Sequence, residues 1–120
     1  MKLITTISNT SEVMCAAGAK EYIFVGLAGK RVMIIDANTY QIAKLAMTKR
    51  DPISMTILDK RLCVCGLKNH AWTSFNFKND FKQVGMTYNM GNDWVQVVAN
   101  SRADSFYRVW KNENMTIAKL

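Results

Sequence analysis

Hydrophobic residues occur along the chain in short bursts rather than in long stripes. Runs such as YIFVG, RVMII and QIAKL are β-branched or aromatic and are separated by Gly, Asn, Lys and Asp. Short runs bounded by turn-forming residues are typical of strands. A helix would need its apolar positions to recur every 3.6 residues over several turns, and these bursts are interrupted too often for that. The pattern therefore predicts an all-β chain.

The bursts belong to an internal repeat. When the chain is moved by 40 positions, KEYIFVGLAGKRVMIID falls on KRLCVCGLKNHAWTSFN without a gap, and Gly26 meets Gly66. When it is moved by 75 positions, YQIAKL falls on MTIAKL and RVMII falls on FYRVW. Repeats of about 40 residues indicate one small structural unit per copy. We therefore expect three copies, of which the third is shorter in its first half.

Four strands per copy is the simplest interpretation of the bursts. In the first copy the predicted strands are Val13–Ala17, Glu21–Gly26, Arg31–Asp36 and Gln41–Ala46. In the second they are Ile53–Ile57, Arg61–Gly66, Ala71–Phe75 and Lys82–Met86. In the third they are Thr87–Met90, Trp94–Asn100, Phe106–Lys111 and Thr116–Leu120. Between strands, Ala28-Gly29, Leu58-Asp59-Lys60 and Asn79-Asp80 supply residues that suit tight turns.

Four-stranded units of this length are typical of β-propeller blades. The segment EYIFVGLAGKRVMIIDANTYQIAKL resembles a blade of the WD-repeat class, and RLCVCGLKNHAWTSFNFKNDFKQV is similar to divergent blades in regulatory propellers of Roco-type kinases and Rho exchange factors. Where WD repeats have Trp-Asp, the copies have Ile35-Asp36, Phe75-Asn76 and Trp110-Lys111. The resemblance implies a protein-interaction scaffold that is a regulatory segment of a larger signalling assembly. A β-sandwich or an open meander is the alternative fold.

The predicted architecture is one domain, 1–120, with antiparallel blade-like units at about 12–48, 52–90 and 87–120 and a closing strand at 2–7. Propellers usually need four to eight blades to complete a ring. Three blades form only a partial propeller, so we expect closure either by oligomerisation, such as two chains in a six-bladed ring, or by blades that lie elsewhere. Unpaired strand edges favour association over a free monomer.

The composition of the chain limits the classes of protein to which it can belong. With 120 residues, 49% hydrophobic and 21% charged, the chain suits one globular domain. It has no apolar run of the ~20 residues that a membrane helix needs, and Met1–Ser8 does not resemble a secretory signal. We therefore expect a cytoplasmic protein with reduced thiols. Sixteen Lys and Arg against nine Asp and Glu give a charge of +7, which permits acidic protein, nucleic-acid or anionic-surface partners.

The strand order predicts that the basic charge is concentrated at one rim. Loops on that rim contain six Lys and Arg against three acids, and loops on the opposite rim contain five against six. The predicted partner-binding residues are Lys30, Arg31, Lys49, Arg50, Lys68, His70 and Arg102. We expect an acidic protein partner here, with nucleic acid as the alternative. A scatter of solubilising charge is the competing interpretation.

Candidate catalytic and metal-binding residues are few. Cys63 and Cys65 share one face of a strand, with His70 nearby and Cys15 in the preceding copy, but C-V-C plus one His does not have zinc-site spacing. Buried thiols are the favoured interpretation. No spacing pairs two carboxylates, and there is no phosphate-binding glycine motif. We therefore expect no enzyme activity, no metal and no cofactor, unless His70 or a carboxylate pair lines a deep cleft.

Overall fold

The computed structural model describes residues 3, 4, 6, 7, 11–68, 71–87, 94–99, 106–110 and 116–119, with side chains described up to residue 84. All regular structure in these ranges is β, and no helix occurs among them. The strands are β1 Val13–Gly18, β2 Tyr22–Leu27, β3 Arg31–Asp36, β4 Ile42–Met47, β5 Pro52–Leu58, β6 Leu62–Leu67, β7 Ala71–Asn76, β8 Gln83–Thr87, β9 Trp94–Ala99, β10 Phe106–Trp110 and β11 Thr116–Lys119.

The strands form three antiparallel sheets in chain order. The first sheet is β1-β2-β3-β4, the second is β5-β6-β7-β8, and the third is β11-β10-β9. Within each of the first two sheets, consecutive strands pair and are joined by short connections, so each of these ladders is a hairpin. The predicted all-β class is confirmed in the described residues, and of the three predicted four-stranded antiparallel units two are present, whereas the described strands of the third sheet number three.

Most predicted strands agree with the observed ones to within one residue at each end. The exception is the first strand of the third copy, because Thr87 ends β8 and residues 88–90 lie outside the described ranges. Of the predicted closing strand 2–7, the described residues 3, 4, 6 and 7 are not in a strand, and its other residues lie outside the description.

Tight turns with left-handed residues connect the strands. Asp59 and Lys60 both have positive φ, and the Arg61 amide donates to the Leu58 carbonyl at 3.1 Å. Asp80 and Phe81 also have positive φ, and the Lys82 amide donates to the Asn79 carbonyl at 3.2 Å. Two central residues with positive φ match the right-handed twist of the flanking strands, as in type I′ turns. Turn residues that tolerate this conformation were the sequence signal for these hairpins.

The hydrogen bonds of the first two sheets repeat at the spacing seen in the sequence. The Ala37 amide donates to the Glu21 carbonyl at 2.9 Å, and the Phe77 amide donates to the Arg61 carbonyl at the same distance. Each pair lies 40 residues from its equivalent. The repeated segments therefore adopt the same local structure, and the alignment of the two copies holds at the level of individual bonds.

The main core lies between the first and second sheets. Aromatic rings from both sheets meet there, with Tyr22 and Phe81 at a centroid distance of 4.8 Å and Phe24 and Phe77 at 5.4 Å. Phe24 and Phe75 are completely buried. The rings at this interface provide a large part of the apolar area that is removed from water. Burial of the Phe81 ring also stabilises a backbone conformation that bulky residues rarely adopt.

The second sheet has neighbours on both sides. Strand β5 contacts β1 of the first sheet and β9 of the third, and β6 also contacts β9. Cys63 and Cys65 are buried on one face, and Val64, between them, is buried on the other. A strand buried on both faces lies between two layers. The third sheet therefore covers the face of the second sheet that the first sheet does not reach.

Candidate functional site

Among the described residues, no other sheet covers one face of the first sheet. The strand register brings apolar side chains together on this face, because Val25 pairs with Met33 and Met33 pairs with Leu45. We call it the open face. Its members are Val13, Ala16, Ile23, Val25, Leu27, Met33, Ile35, Ile42, Leu45 and Met47.

Several large side chains of the open face are accessible to water. Val13 is 58% exposed, Ile42 50%, Leu45 47% and Met47 61%. Ile23, which lies nearer the centre, is half-buried. Apolar side chains grouped on one face in this way indicate a binding surface, since scattered exposed residues would not need an explanation.

The repeat shows what an equivalent face looks like when it is covered. Positions 23 and 25 correspond to Cys63 and Cys65, which are 0% exposed because the first sheet packs on them. The opposite face of the first sheet, with Phe24 and Val32, makes this contact. The open face is thus the counterpart of a surface that is buried one sheet further along.

The basic loops also come together, at one end of the sheets. We define the basic rim as Lys30, Arg31, Lys49, Arg50 and Lys68. The Asp51 carboxylate accepts hydrogen bonds from the backbone amides of Gly29 at 3.2 Å and Lys30 at 3.0 Å. These two bonds join the β2–β3 turn to the β4–β5 connection.

Further bonds extend the basic rim to the second sheet. The Lys68 amide donates to the Asp51 carbonyl at 3.0 Å, and Arg50 Nη1 is 3.5 Å from the Lys68 carbonyl oxygen. Arg31 Nη2 donates to Ser11 Oγ. The side chains of Lys30, Lys49 and Lys68 are exposed. The structure therefore brings five of the predicted residues to one end, whereas His70 and Arg102 lie outside the described residues.

The opposite end of the sheets contains turns held by side-chain oxygens. Asp36 Oδ1 accepts from the amides of Asn38 at 2.7 Å and Thr39 at 3.0 Å, and these bonds lower the pKa of the Asp36 carboxyl. At the equivalent position, Asn76 Oδ1 accepts from the Lys78 amide at 2.9 Å. Asp36 and Asn76 therefore have a turn-forming role.

The three cysteines gather in the seam between the first and second sheets. Cys63 and Cys65 are buried in the shared core, and Cys15 lies on the edge strand β1, where interaction with Cys65 lowers the pKa of its thiol. Burial raises the pKa of the Cys63 thiol. The sequence placed Cys15 in another copy, and only the packing of β1 beside β5 brings it to the second sheet. Among the described residues, no three His, Cys, Asp or Glu side chains converge as metal ligands would.

No protein-family model matches the chain, and no curated protein sequence matches it. Among solved structures, hydrazine synthase from Kuenenia stuttgartiensis is similar, with a TM-score of 0.73 and 12% sequence identity. The match covers 88% of this chain but only 33% of that one, so the chain spans about a third of its length. At this identity the likeness shows a shared fold alone. No helix in the described part of the chain is long and apolar enough to cross a membrane.

Proposed function

We propose that this chain is a non-enzymatic protein-interaction module of propeller-like, WD-repeat-like blades, which assembles through the open face. The single observation that carries the proposal is the contrast between positions 23 and 25 and their buried equivalents Cys63 and Cys65. Because the open face is apolar like its buried equivalent in the second sheet, we expect an apolar sheet to cover it. The regulatory role in a signalling assembly remains what the resemblance implies.

The occupant that we assign to the open face is a second copy of this chain, through its third sheet. The described sheets follow one another in a single series, with β1 beside β5 and β5 beside β9. The open face and the third sheet are the two ends of this series. Head-to-tail contact between copies would continue the existing packing, and two copies would close a six-bladed ring.

The test is absolute molar mass by light scattering on a sizing column at several protein concentrations. We expect the wild-type chain to elute at a discrete multiple of 13.6 kDa, with twice that value for a closed pair. Leu45→Lys should reduce the mass to 13.6 kDa, because it places a charge within the apolar contact.

Val84→Lys is the matched control, since Val84 is an aliphatic residue on β8 that is 57% exposed and lies away from the open face. This variant should keep the wild-type mass. A wild-type chain that stays at 13.6 kDa at every concentration, or a Leu45→Lys variant with unchanged mass, would overturn the assignment.

The basic rim supports a second binding surface, for an acidic protein segment. Its backbone bonds hold the loops in place, so exposed Lys30, Lys49 and Lys68 present their charges at one end of the molecule. The Asp51 carboxylate is directed at two backbone amides. Fixed charges of one sign attract an oppositely charged partner and orient it.

Fluorescence anisotropy with a labelled poly-glutamate peptide tests this surface. We expect binding at low salt that the double substitution Lys49→Ala with Lys68→Ala weakens about tenfold, since each lost contact is worth up to ~1 kcal/mol. The control is Lys20→Ala with Lys78→Ala at the opposite end, which should bind as the wild type does. A single-stranded oligonucleotide that binds more tightly than the peptide would favour the nucleic-acid alternative.

A further inference from the structure

An acidic residue directly precedes the first strand of each four-stranded sheet. Glu12 comes before β1, and Asp51 comes before β5. The Glu12 carbonyl accepts a hydrogen bond at 2.9 Å from the amide of Ala28, the residue that follows β2. The Asp51 carbonyl accepts one at 3.0 Å from the amide of Lys68, which follows β6. Glu12 and Asp51 therefore occupy equivalent positions of the repeat, and each adds a carboxylate there.

The Asp51 carboxylate binds a turn of the sheet that precedes its own. Its Oδ1 atom accepts hydrogen bonds from the Gly29 amide at 3.2 Å and the Lys30 amide at 3.0 Å, both in the turn between β2 and β3. Gly29 and Lys30 have φ values of 91° and 63°, and adjacent amides in a tight turn form a site for an anion. A carboxylate at the start of one sheet thus holds that sheet against a turn of its neighbour.

The residues that follow the two acids differ in burial. Val13 and Pro52 each begin the first strand of their sheet, so they are also equivalent. Pro52 is fully buried, and a Cβ atom on Gly26 of the first sheet would lie 3.0 Å from Pro52 Cβ. Val13 is 58% exposed, and Glu12 is exposed whereas Asp51 is half-buried. The first sheet therefore covers the start of β5, and no described sheet covers the start of β1 in the same way.

The uncovered start of β1 lies beside the open face. In the second sheet, the side chains of Cys63 and Cys65 are covered by the first sheet, which also binds the Asp51 carboxylate through its turn. The repeat equivalents of Cys63 and Cys65 lie on the open face. A sheet that covered the open face in the same way would therefore bring the amides of its own turn to Glu12.

We propose that Glu12 is the polar anchor of the contact between two copies of the chain, and that its carboxylate accepts hydrogen bonds from adjacent turn amides of the covering sheet. The inference rests on the proposed function, which assigns the covering sheet to the third sheet of a second copy. Apolar surfaces alone allow several alignments of two sheets, whereas hydrogen bonds to a charged acceptor are directional. Glu12 thus selects the alignment that Asp51 selects within one chain.

Sedimentation equilibrium of the full chain measures the dissociation constant between copies. Glu12→Gln removes the charge and keeps the shape of the side chain. It should raise the dissociation constant at least about tenfold, because bonds to a charged acceptor are the stronger ones and a closed pair contains the contact twice. Added salt should also weaken the wild-type assembly more than the Glu12→Gln assembly. The matched control is Glu21→Gln, an exposed glutamate at the opposite end of the first sheet, which should assemble as the wild type does.

A second measurement separates contact between copies from stability within one copy. In the Leu45→Lys background, whose chains we expect to be single, Glu12→Gln should leave the melting temperature unchanged. Asp51→Ala in the same background should lower it by several degrees, because it removes two hydrogen bonds that join the first two sheets.

The outcomes distinguish this inference from the proposed function. A wild-type chain that is single at every concentration would overturn both. An assembly that Leu45→Lys dissociates, but in which Glu12→Gln and Glu21→Gln have equal effects, would overturn the role of Glu12 alone. A lower melting temperature of Glu12→Gln in single chains would also overturn it, since the carboxylate would then act within one copy.

Discussion

The first and second sheets contain copies of one repeat, yet their second strands have different environments. Strand β6 is buried from Cys63 to Leu67, on both of its faces. In the equivalent part of β2, buried Phe24 alternates with half-buried Ile23 and Val25. The difference does not come from the local fold, since the hydrogen bonds of the two sheets match. It comes from the number of neighbouring sheets.

This difference shows that burial in a stacked repeat depends on a unit's place in the series as much as on its own residues. The second sheet lies between the other two, and its strand β6 is a continuous apolar run. The first sheet is at the end of the series, and Ile42, Leu45 and Met47 on its open face remain exposed to water, although Leu27 and Ile35 on that face are buried. Its exposed side chains are nevertheless apolar, which supports the proposed contact with a second copy of the chain.

The largest expected effect separates the two sheets directly. Cys63→Asp places a carboxylate where no water reaches, so we expect a loss of several kcal/mol and failure to fold, because an unpaired buried charge is very costly. Ile23→Asp, at the equivalent position of the open face, should cost about 1 kcal/mol in the isolated chain. Urea unfolding followed by tryptophan fluorescence measures both. Equal losses would contradict the difference in burial.

A smaller effect is expected at the glycine that lies in the seam between the sheets. Gly26→Val should destabilise the fold by about 1–3 kcal/mol, because its Cβ alone would meet both Cys15 and Pro52. Gly66→Val, at the buried equivalent position, should have an effect of the same sign. Gly18→Ala is the control, since a Cβ there meets nothing within 4 Å, and it should stay within about 0.5 kcal/mol of wild type. Unchanged melting temperatures in both valine variants would count against the aligned repeat.

The smallest effect concerns pH. The folded state lowers the pKa of Asp36 through the amides of Asn38 and Thr39, so its contribution to stability is present above the unfolded value of about 3.9 and is lost as pH falls through the folded value. Asp36→Asn copies Asn76 of the second sheet, which makes the same kind of turn without titrating. The variant should therefore lose less stability than wild type between pH 5 and pH 2 in parallel urea unfolding series. Identical pH profiles would show that the turn does not stabilise the ionised form.

Local sequence signals were sufficient to predict the strands and turns. Five-residue apolar bursts and residues such as Asp59 and Asn79 determine hairpins by short-range sterics, and the structure has those hairpins. The basic rim was predictable too, because alternating strand directions place every second loop at the same end. The bonds that hold it, such as Asp51 to the Lys30 amide, were not, since they join loops 21 residues apart.

The sequence by itself therefore determined the all-β class, the repeat, the hairpin order and the end at which the basic loops lie. Tertiary structure alone decided which apolar faces are covered, and it alone brought Cys15 and Pro52 together at Gly26. The physical reason is the distance along the chain over which each kind of interaction acts. Strand and turn preferences act between neighbours in the chain, whereas burial depends on how sheets distant in sequence pack against one another.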